Sequence, residues 1–265
     1  MRSNHLNRLL NKGRKQVNLG KPIAVGNTAE IYQVEDKVMK VFKEHLPPLE
    51  HIHEANKQEY AFSSGLPVPK VFNVTKIEGR QAIIMEYVRG KTAGELILNN
   101  MESADLYLTE CAQMQLKIHA MPADPSVIGS MTDKLHKQIQ IAETLNQAQK
   151  RNLLKKLDSI MFQPGLCHGD FHPFNIIIGE STVTVIDWVD SSSGDVRADV
   201  IRTYLLISEA SVKLAERYVH IYCSLTGISR NEIFQWMPII AAARLWENVS
   251  DAEHKRLLEI IRETI

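Results

Sequence analysis

The pattern of apolar and polar positions changes character near residue 90. Before that point the apolar runs are short and alternating. Ala29–Val34 and Lys37–Phe42 flank Glu35–Asp36 and predict a hairpin, and Gln81–Tyr87 predicts a further strand after a turn at Glu78–Gly79. Between them a helix is expected over roughly His51–Ser64, ended by Gly65 with Pro67 and Pro69 beyond it. After the Arg89–Gly90 break the spacing is mostly helical, over Thr92–Asn100, Ser103–Ala120, Met131–Ile160 and most of Asp199–Ile265. One β interruption remains: Asn175–Ile178, a turn at Gly179–Glu180, and Thr182–Ile186 spell a second hairpin. The expectation is an α+β chain of two lobes, a small β-rich unit over 1–88 and a larger helical unit over 89–265. There is no internal repeat and no low-complexity tract.

Length and composition fit that picture. A chain of 265 residues, 44% hydrophobic and 23% charged, can bury a substantial core, and neither disorder nor a membrane bundle matches. Lysine plus arginine equals aspartate plus glutamate at 31 each, so the basic excess of a dedicated nucleic-acid binder is missing. No apolar run approaches the roughly 20 residues that cross a bilayer. Cys111, Cys167 and Cys223 lie far apart and spell neither a zinc site nor a disulfide framework. The first 29 residues hold six bases and no acid, the charge of an organellar presequence, but no signal-type apolar core follows. A cytoplasmic protein with a small polar partner, and neither nucleic acid nor membrane, is expected.

Charge along the chain is more informative than its total. Residues 166–190 contain no lysine or arginine and four acids, Asp170, Glu180, Asp187 and Asp190. A run of carboxylates without local cations suits a divalent metal. In the second hairpin, the residue opening the first strand and the residue just past the second meet at the open end, and these are Asn175 and Asp187. With Asp170 five residues before Asn175, the three could hold magnesium beside a general base. Cys167–Asn175 reads C-H-G-D-F-H-P-F-N, in which Asp170 and Asn175 have the spacing of a kinase-type catalytic loop.

The H-G-D-x-x-x-x-N loop, the hairpin and the following I-D-W together resemble the aminoglycoside phosphotransferase and choline kinase-like family, over nearly the whole chain. The resemblance implies a two-lobed, protein-kinase-like fold and a magnesium-dependent transfer of phosphoryl from ATP or GTP to a hydroxyl of a small molecule. It makes Asp170 the catalytic base, Asn175 and Asp187 the magnesium ligands, and His168 a residue that orients the loop. Asp199, in G-D-V-R-A-D, would brace the loop backbone, and Asp195 would be structural. His119 is expected to pack or cap.

The nucleotide side is placed by the same resemblance. Lys40, in V-M-K-V-F, shares a strand face with Val38 and Phe42, a costly position for an ammonium unless it is paired. The family sets this lysine on the α- and β-phosphates and pairs it with a helix glutamate, here Glu54, with Glu59 second. Gly26–Ala29 would form the phosphate-covering turn, with Thr28 offering its hydroxyl and amide. Met85–Val88 would be the hinge, where the backbone of Glu86 and Val88 meets the base. His51 and His53, two apart on a helix, diverge and make a poor metal clamp. His172 could reach a phosphate or pack the loop, and Trp188 is expected to anchor packing.

The acceptor stays open. A polycationic antibiotic needs an acidic pocket, whereas residues 191–265 carry ten acids against nine bases, and Glu209, Glu216, Glu247, Asp251 and Glu253 would have to cluster. An amino alcohol, a sugar or a vitamin precursor is an equal expectation. The alternative readings are a nucleotide-binding regulatory pseudokinase and a protein kinase, the latter disfavoured by the lack of D-F-G and A-P-E.

Overall fold

The computed structural model describes residues 19–264, so the basic start of the chain lies outside the described residues. The alternating segments form one antiparallel sheet. Strands β1 (Ala24–Val25), β2 (Ala29–Val34), β3 (Lys37–Phe42), β4 (Val71–Ile77) and β5 (Arg80–Glu86) are ordered β1-β2-β3-β5-β4. The β4–β5 turn has positive φ at both Glu78 (51°) and Gly79 (83°), the twist that suits a two-residue hairpin. Strand alternation divides the sheet into two faces. Met39 and Val41 pack with Tyr32, Ile77, Ala82 and Ile84, while Phe42, Ile83 and Met85 pack with Ala55 of the helix Glu50–Ser63. Lys40 lies on the helix-covered face, which is what gives it a partner.

Beyond Glu86 the chain is mostly helical. The helices Ala93–Asn99, Ala104–His119, Met131–Ile141, Gln147–Ser159, Val196–Ala210, Val212–Thr226, Met237–Arg244 and Asp251–Thr264 surround a core in which Trp188, Trp236, Tyr218 and Tyr222 are fully buried. The single helix expected over Met131–Ile160 is instead two. Asn146 accepts from the amides of Ala148 and Gln149, and the Gln149 side chain accepts from the Asn146 amide, a capping box that starts a new helix. Buried Leu145 draws the connecting turn into the core. Among the described residues, no helix is long and apolar enough to cross a membrane.

Two small sheets shape the centre. β6 (Lys91–Thr92), β8 (Ile176–Ile178) and β9 (Val183–Val185) run in the order β6-β8-β9, and β7 (Gly165–Cys167) pairs with β10 (Ser192–Gly194). The β8–β9 pair is the second hairpin, and the Ile186 amide donates to the Asn175 carbonyl at 3.0 Å, so Asn175 and Asp187 leave its open end together. β7 enters and β10 leaves the same region, and the loop 168–175 lies between β7 and β8.

Candidate functional site

One ammonium links the sheet to the second hairpin. Lys40 Nζ lies 2.6 Å from Glu54 Oε1 and 2.9 Å from Asp187 Oδ1, joining β3, the helix Glu50–Ser63 and the end of β9. Lys40 and Glu54 are buried, while Asp187 is part-exposed. Burial opposes the charge on Lys40, but the Glu54 and Asp187 carboxylates outweigh it and hold the ammonium above its ordinary pKa. Burial pushes Glu54 up, with Lys40 pulling it back. Glu59, the second choice of partner, is exposed. Asp187 has φ 65°, a left-handed conformation that a non-glycine residue holds only where its surroundings enforce it.

The loop between β7 and β8 is tied from several sides. Asn175 Nδ2 donates to the Asp170 carbonyl at 2.9 Å and to Asp170 Oδ2 at 3.2 Å. The Asn175 amide oxygen is thus left to point away from Asp170. His168 is fully buried, with Nε2 3.1 Å from the Ile186 carbonyl and Nδ1 accepting from the Asp170 amide at 3.2 Å. A carbonyl only accepts and an amide only donates, so the proton sits on Nε2. Burial lowers the His168 pKa, keeping the ring neutral, and it stacks edge-on against Trp188 at 4.7 Å. His168 therefore connects the loop to the second hairpin and reaches no solvent.

Asp199, on the helix Val196–Ala210, holds the loop backbone. Its Oδ1 accepts from the Gly169 amide at 2.7 Å, and its Oδ2 accepts from the His168 amide at 3.2 Å and from Gln115 Nε2 at 3.0 Å. His119 Nε2 lies 3.0 Å from the same Oδ2, with its Nδ1 2.7 Å from the Tyr222 hydroxyl. His119, Cys167 and Asp199 converge closely enough to suggest a metal, but the donor set argues against one. Burial holds the Cys167 thiol well above its ordinary pKa, and Asp199 is already saturated by amides and the ring. Asp195 caps the same helix, and pairs with Arg197 and with the Trp236 ring nitrogen at 3.0 Å.

A residue that the sequence pattern did not flag completes the frame. Arg202 donates to the Gly169 carbonyl, pairs with Glu247, and places Nη2 3.7 Å from Asp170 Oδ1. Its one sequence signal is its position three residues after Asp199, on the same helical face. His172 Nε2 lies 3.5 Å from Asp170 Oδ2. Burial would raise the Asp170 carboxyl, but His172 and Arg202 hold it well below the carboxylate range. Asp170 is thus an ionised side chain, about one quarter exposed, at the mouth of the loop.

The other expected residues lie apart from this group. Gly26–Ala29 is a tight turn closed by Gly26 N–H to the Ala29 carbonyl at 2.8 Å, with Thr28 exposed. The Glu86 amide donates to the Lys70 carbonyl, Glu86 is exposed and Val88 is half-buried just past β5. Among the described residues, no hydrogen bond or ion pair joins Thr28, Glu86 or Val88 to Lys40. His51 bonds Gln81 while His53 points to solvent, so the two histidines diverge.

The donor set fits a hard cation. Asn175 and Asp187 could supply oxygen ligands from the open end of one hairpin, and one Asp187 oxygen stays clear of Lys40, which suits a hard divalent cation and not a thiophilic metal.

The fold is shared with solved phosphotransferases. A thermostable mutant of aminoglycoside phosphotransferase APH(4)-Ia in ternary complex with ADP and hygromycin B is 16% identical, with 91% of this chain and 92% of that chain covered at a TM-score of 0.69. Amicoumacin kinase hAmiN, in complex with AMP-PNP, Ca2+ and Ami, is 14% identical over 98% and 91% of the two chains at 0.65. A choline/ethanolamine kinase family protein from Mesorhizobium loti is 14% identical over 91% and 88% at 0.63. At such identities the likeness shows the fold. No curated protein matches the chain. The model of the phosphotransferase enzyme family (APH) matches residues 20–234, which hold the sheet, the Lys40 ion pairs, the catalytic-type loop and both hairpins, and the chain belongs to that family.

Proposed function

We propose that the protein is a small-molecule kinase that moves the γ-phosphoryl group of ATP or GTP to an alcohol. The observation that carries this reading is Lys40 held between Glu54 and Asp187, because it brings a phosphate-binding cation to the residues suited to a metal and beside the loop that carries Asp170. Fold relatives described with ADP or AMP-PNP beside a small molecule support a nucleotide and a small acceptor.

In this reading the described residues up to Val88 form the nucleotide lobe and those from Arg89 onward the lobe that carries the chemistry. Lys40 binds the α- and β-phosphates, Thr28 covers them from the Gly26–Ala29 turn, and the backbone of Glu86 and Val88 holds the base. Asn175 and Asp187 would hold Mg2+, whose charge offsets that of the phosphates when it is bound. Asp170, ionised, takes a hydrogen bond from the acceptor hydroxyl and orients its oxygen. As the oxygen–phosphorus bond forms, the bond from phosphorus to the β,γ-bridging oxygen breaks, the nucleoside diphosphate leaves, and the hydroxyl proton passes to Asp170. No covalent enzyme intermediate is needed, so positioning carries most of the effect. His168 and Asp199 act through the loop as positioning residues.

The test is acceptor-dependent release of nucleoside diphosphate from Mg–ATP and Mg–GTP across amino alcohols, sugars, vitamin precursors and aminoglycosides. Asp170→Ala is expected to lower turnover by roughly 10²–10⁴ while nucleotide still binds. Equal turnover in that variant would remove Asp170 from the chemistry.

A further inference from the structure

We propose that the acceptor is an alcohol with an apolar body, bound in a pocket of the helical lobe beside Asp170, and that the site is not built for a polycation. The inference rests on the phosphotransferase reading and names its substrate class.

A cavity of about 240 Å³ opens next to the catalytic-type loop. Its walls are Ile97 and Leu98 from the helix Ala93–Asn99, Leu108 from Ala104–His119, Phe174 from the loop, and Leu206 and Leu214 from the two helices after β10. Among the described residues that line it, His172 carries the one ionisable side chain, and none is an aspartate, glutamate, lysine or arginine. His172 also makes the link to chemistry, since its Nε2 is 3.5 Å from Asp170 Oδ2. A ligand filling the cavity would thus present a hydroxyl past His172 to Asp170. The volume corresponds to on the order of eight waters, enough for an aryl or short alkyl group.

The wall next to the loop is built by close approach. Gly94 lies under the Phe174 ring, and a Cβ there would sit 2.7 Å from a ring carbon. Leu98 and Phe174 leave 68% and 48% of their surfaces to solvent at the rim, apolar area that an apolar ligand would cover.

Of the five acids that a polycation would need, four are already paired within the fold, and Asp251, exposed at the start of the last helix, is not among the residues that line the cavity. Glu209 faces Arg244 at 3.7 Å, Glu216 pairs with Arg230 at 2.9 Å, and Glu247 pairs with Arg202 and, at 3.2 Å, with Arg244. Glu253 is buried between Arg244 at 2.9 Å and Arg256 at 2.6 Å. A polycationic acceptor would have to displace arginines of the chain's own fold, one of which also holds the Gly169 carbonyl.

The experiment is calorimetric titration of the full chain, with Mg–AMP-PNP present, by 6-phenylhexan-1-ol and by kanamycin. Expected is saturable binding of the aryl alcohol with a negative heat-capacity change, and at least tenfold weaker binding of kanamycin. Leu98→Asp should weaken the aryl alcohol tenfold or more and Leu98→Ala by less, the usual worth of a charge or a few methylenes at an apolar contact. Leu98 is mostly exposed, so both variants should fold, which far-ultraviolet circular dichroism checks. Tighter binding of kanamycin, no binding of the alcohol, or indifference to Leu98→Asp overturns the proposal. Diphosphate release with ATP or GTP, measured on the same samples, judges the parent reading separately. A chain that binds the alcohol through Leu98 yet never releases diphosphate retains the pocket and loses the kinase assignment.

Discussion

Asp199→Asn isolates the contact that fixes the catalytic-type loop, because it keeps the shape and removes one acceptor and the charge. The carboxylate takes the Gly169 amide on Oδ1, and on Oδ2 the His168 amide, the Gln115 amide and the His119 ring. An asparagine has one acceptor oxygen. Turned toward the three donors, it leaves its NH2 facing the Gly169 amide, and a buried unpaired donor costs about 1–3 kcal/mol. The remaining bonds lose their charge assistance, roughly half of their strength. The expected loss is on the order of 2–5 kcal/mol out of a typical 5–15 kcal/mol for a whole domain. Urea unfolding at neutral pH reads that loss, and amide hydrogen exchange at His168 and Gly169 should speed up. Asp170 follows these two amides directly, so a displacement of about 1 Å should also cost on the order of 10² in turnover. A variant within about 0.5 kcal/mol of wild type, with both amides still protected, would show that the loop is held by something other than Asp199.

Three other substitutions probe the frame. Lys40→Met strands the Glu54 carboxylate in the core at an expected cost of about 3–5 kcal/mol. Glu54 is already raised to about 7 by burial, so its stabilising contribution is full below its unfolded value and lost as pH rises; the gap in urea midpoint between variant and wild type should widen from pH 5 to pH 8, and a constant gap would contradict this. Gly169→Ala must adopt φ +80° with its Cβ 2.3 Å from the Asp190 carbonyl oxygen, so a loss of about 3 kcal/mol, or about 6–12 °C in Tm, is expected in a thermal melt. His168 has a depressed pKa in the folded state, so the unfolded chain takes the proton first and stability falls as pH drops below about 6.5, by at most about 1.4 kcal/mol per pH unit. His168→Gln should flatten the pH dependence of unfolding free energy between pH 6.5 and pH 5, and an unchanged slope would mean the ring is not kept neutral.

Local signals in the sequence are legible where they are self-sufficient. The Ala29–Phe42 hairpin has the bounds that its β-branched runs predict, because its two strands and the turn between them are contiguous in the chain. The second hairpin and its open end were legible for the same reason, and so was the placement of Asp170, Asn175 and Asp187 near one another. The break inside Met131–Ile160 was missed because the apolar spacing continues across it and the Asn146 capping box sits in a polar run that reads equally well as a helix surface. β7 and β10 were missed because three-residue strands such as Ser192–Gly194 exist only through their pairing and carry no pattern of their own. The direct contact of Lys40 with Asp187 spans 147 positions, a distance over which no local rule operates.

The helix Val196–Ala210 explains why the chemistry extends beyond the loop motif. Asp195, Asp199, Arg202 and Thr203 recur at helical spacing, and an amphipathic reading would turn such a stripe toward solvent. The structure turns it inward, with Asp195, Asp199 and Thr203 buried and Arg202 part-buried. Asp199 takes the loop amides, Arg202 takes the Gly169 carbonyl, Thr203 bonds Gln115, and Asp195 fixes the helix start through Arg197 and Trp236. Each of these polar groups is matched to a backbone group of the loop or to a hydrogen-bonding side chain packed beside it, and this offsets its desolvation. The apolar residues of the same helix, among them Leu206 and Ile207, then line the proposed acceptor pocket. One helix thus carries both requirements of the proposed reaction, a polar stripe that immobilises the loop and an apolar wall for the body of the acceptor, and a substitution on either should move one property without the other.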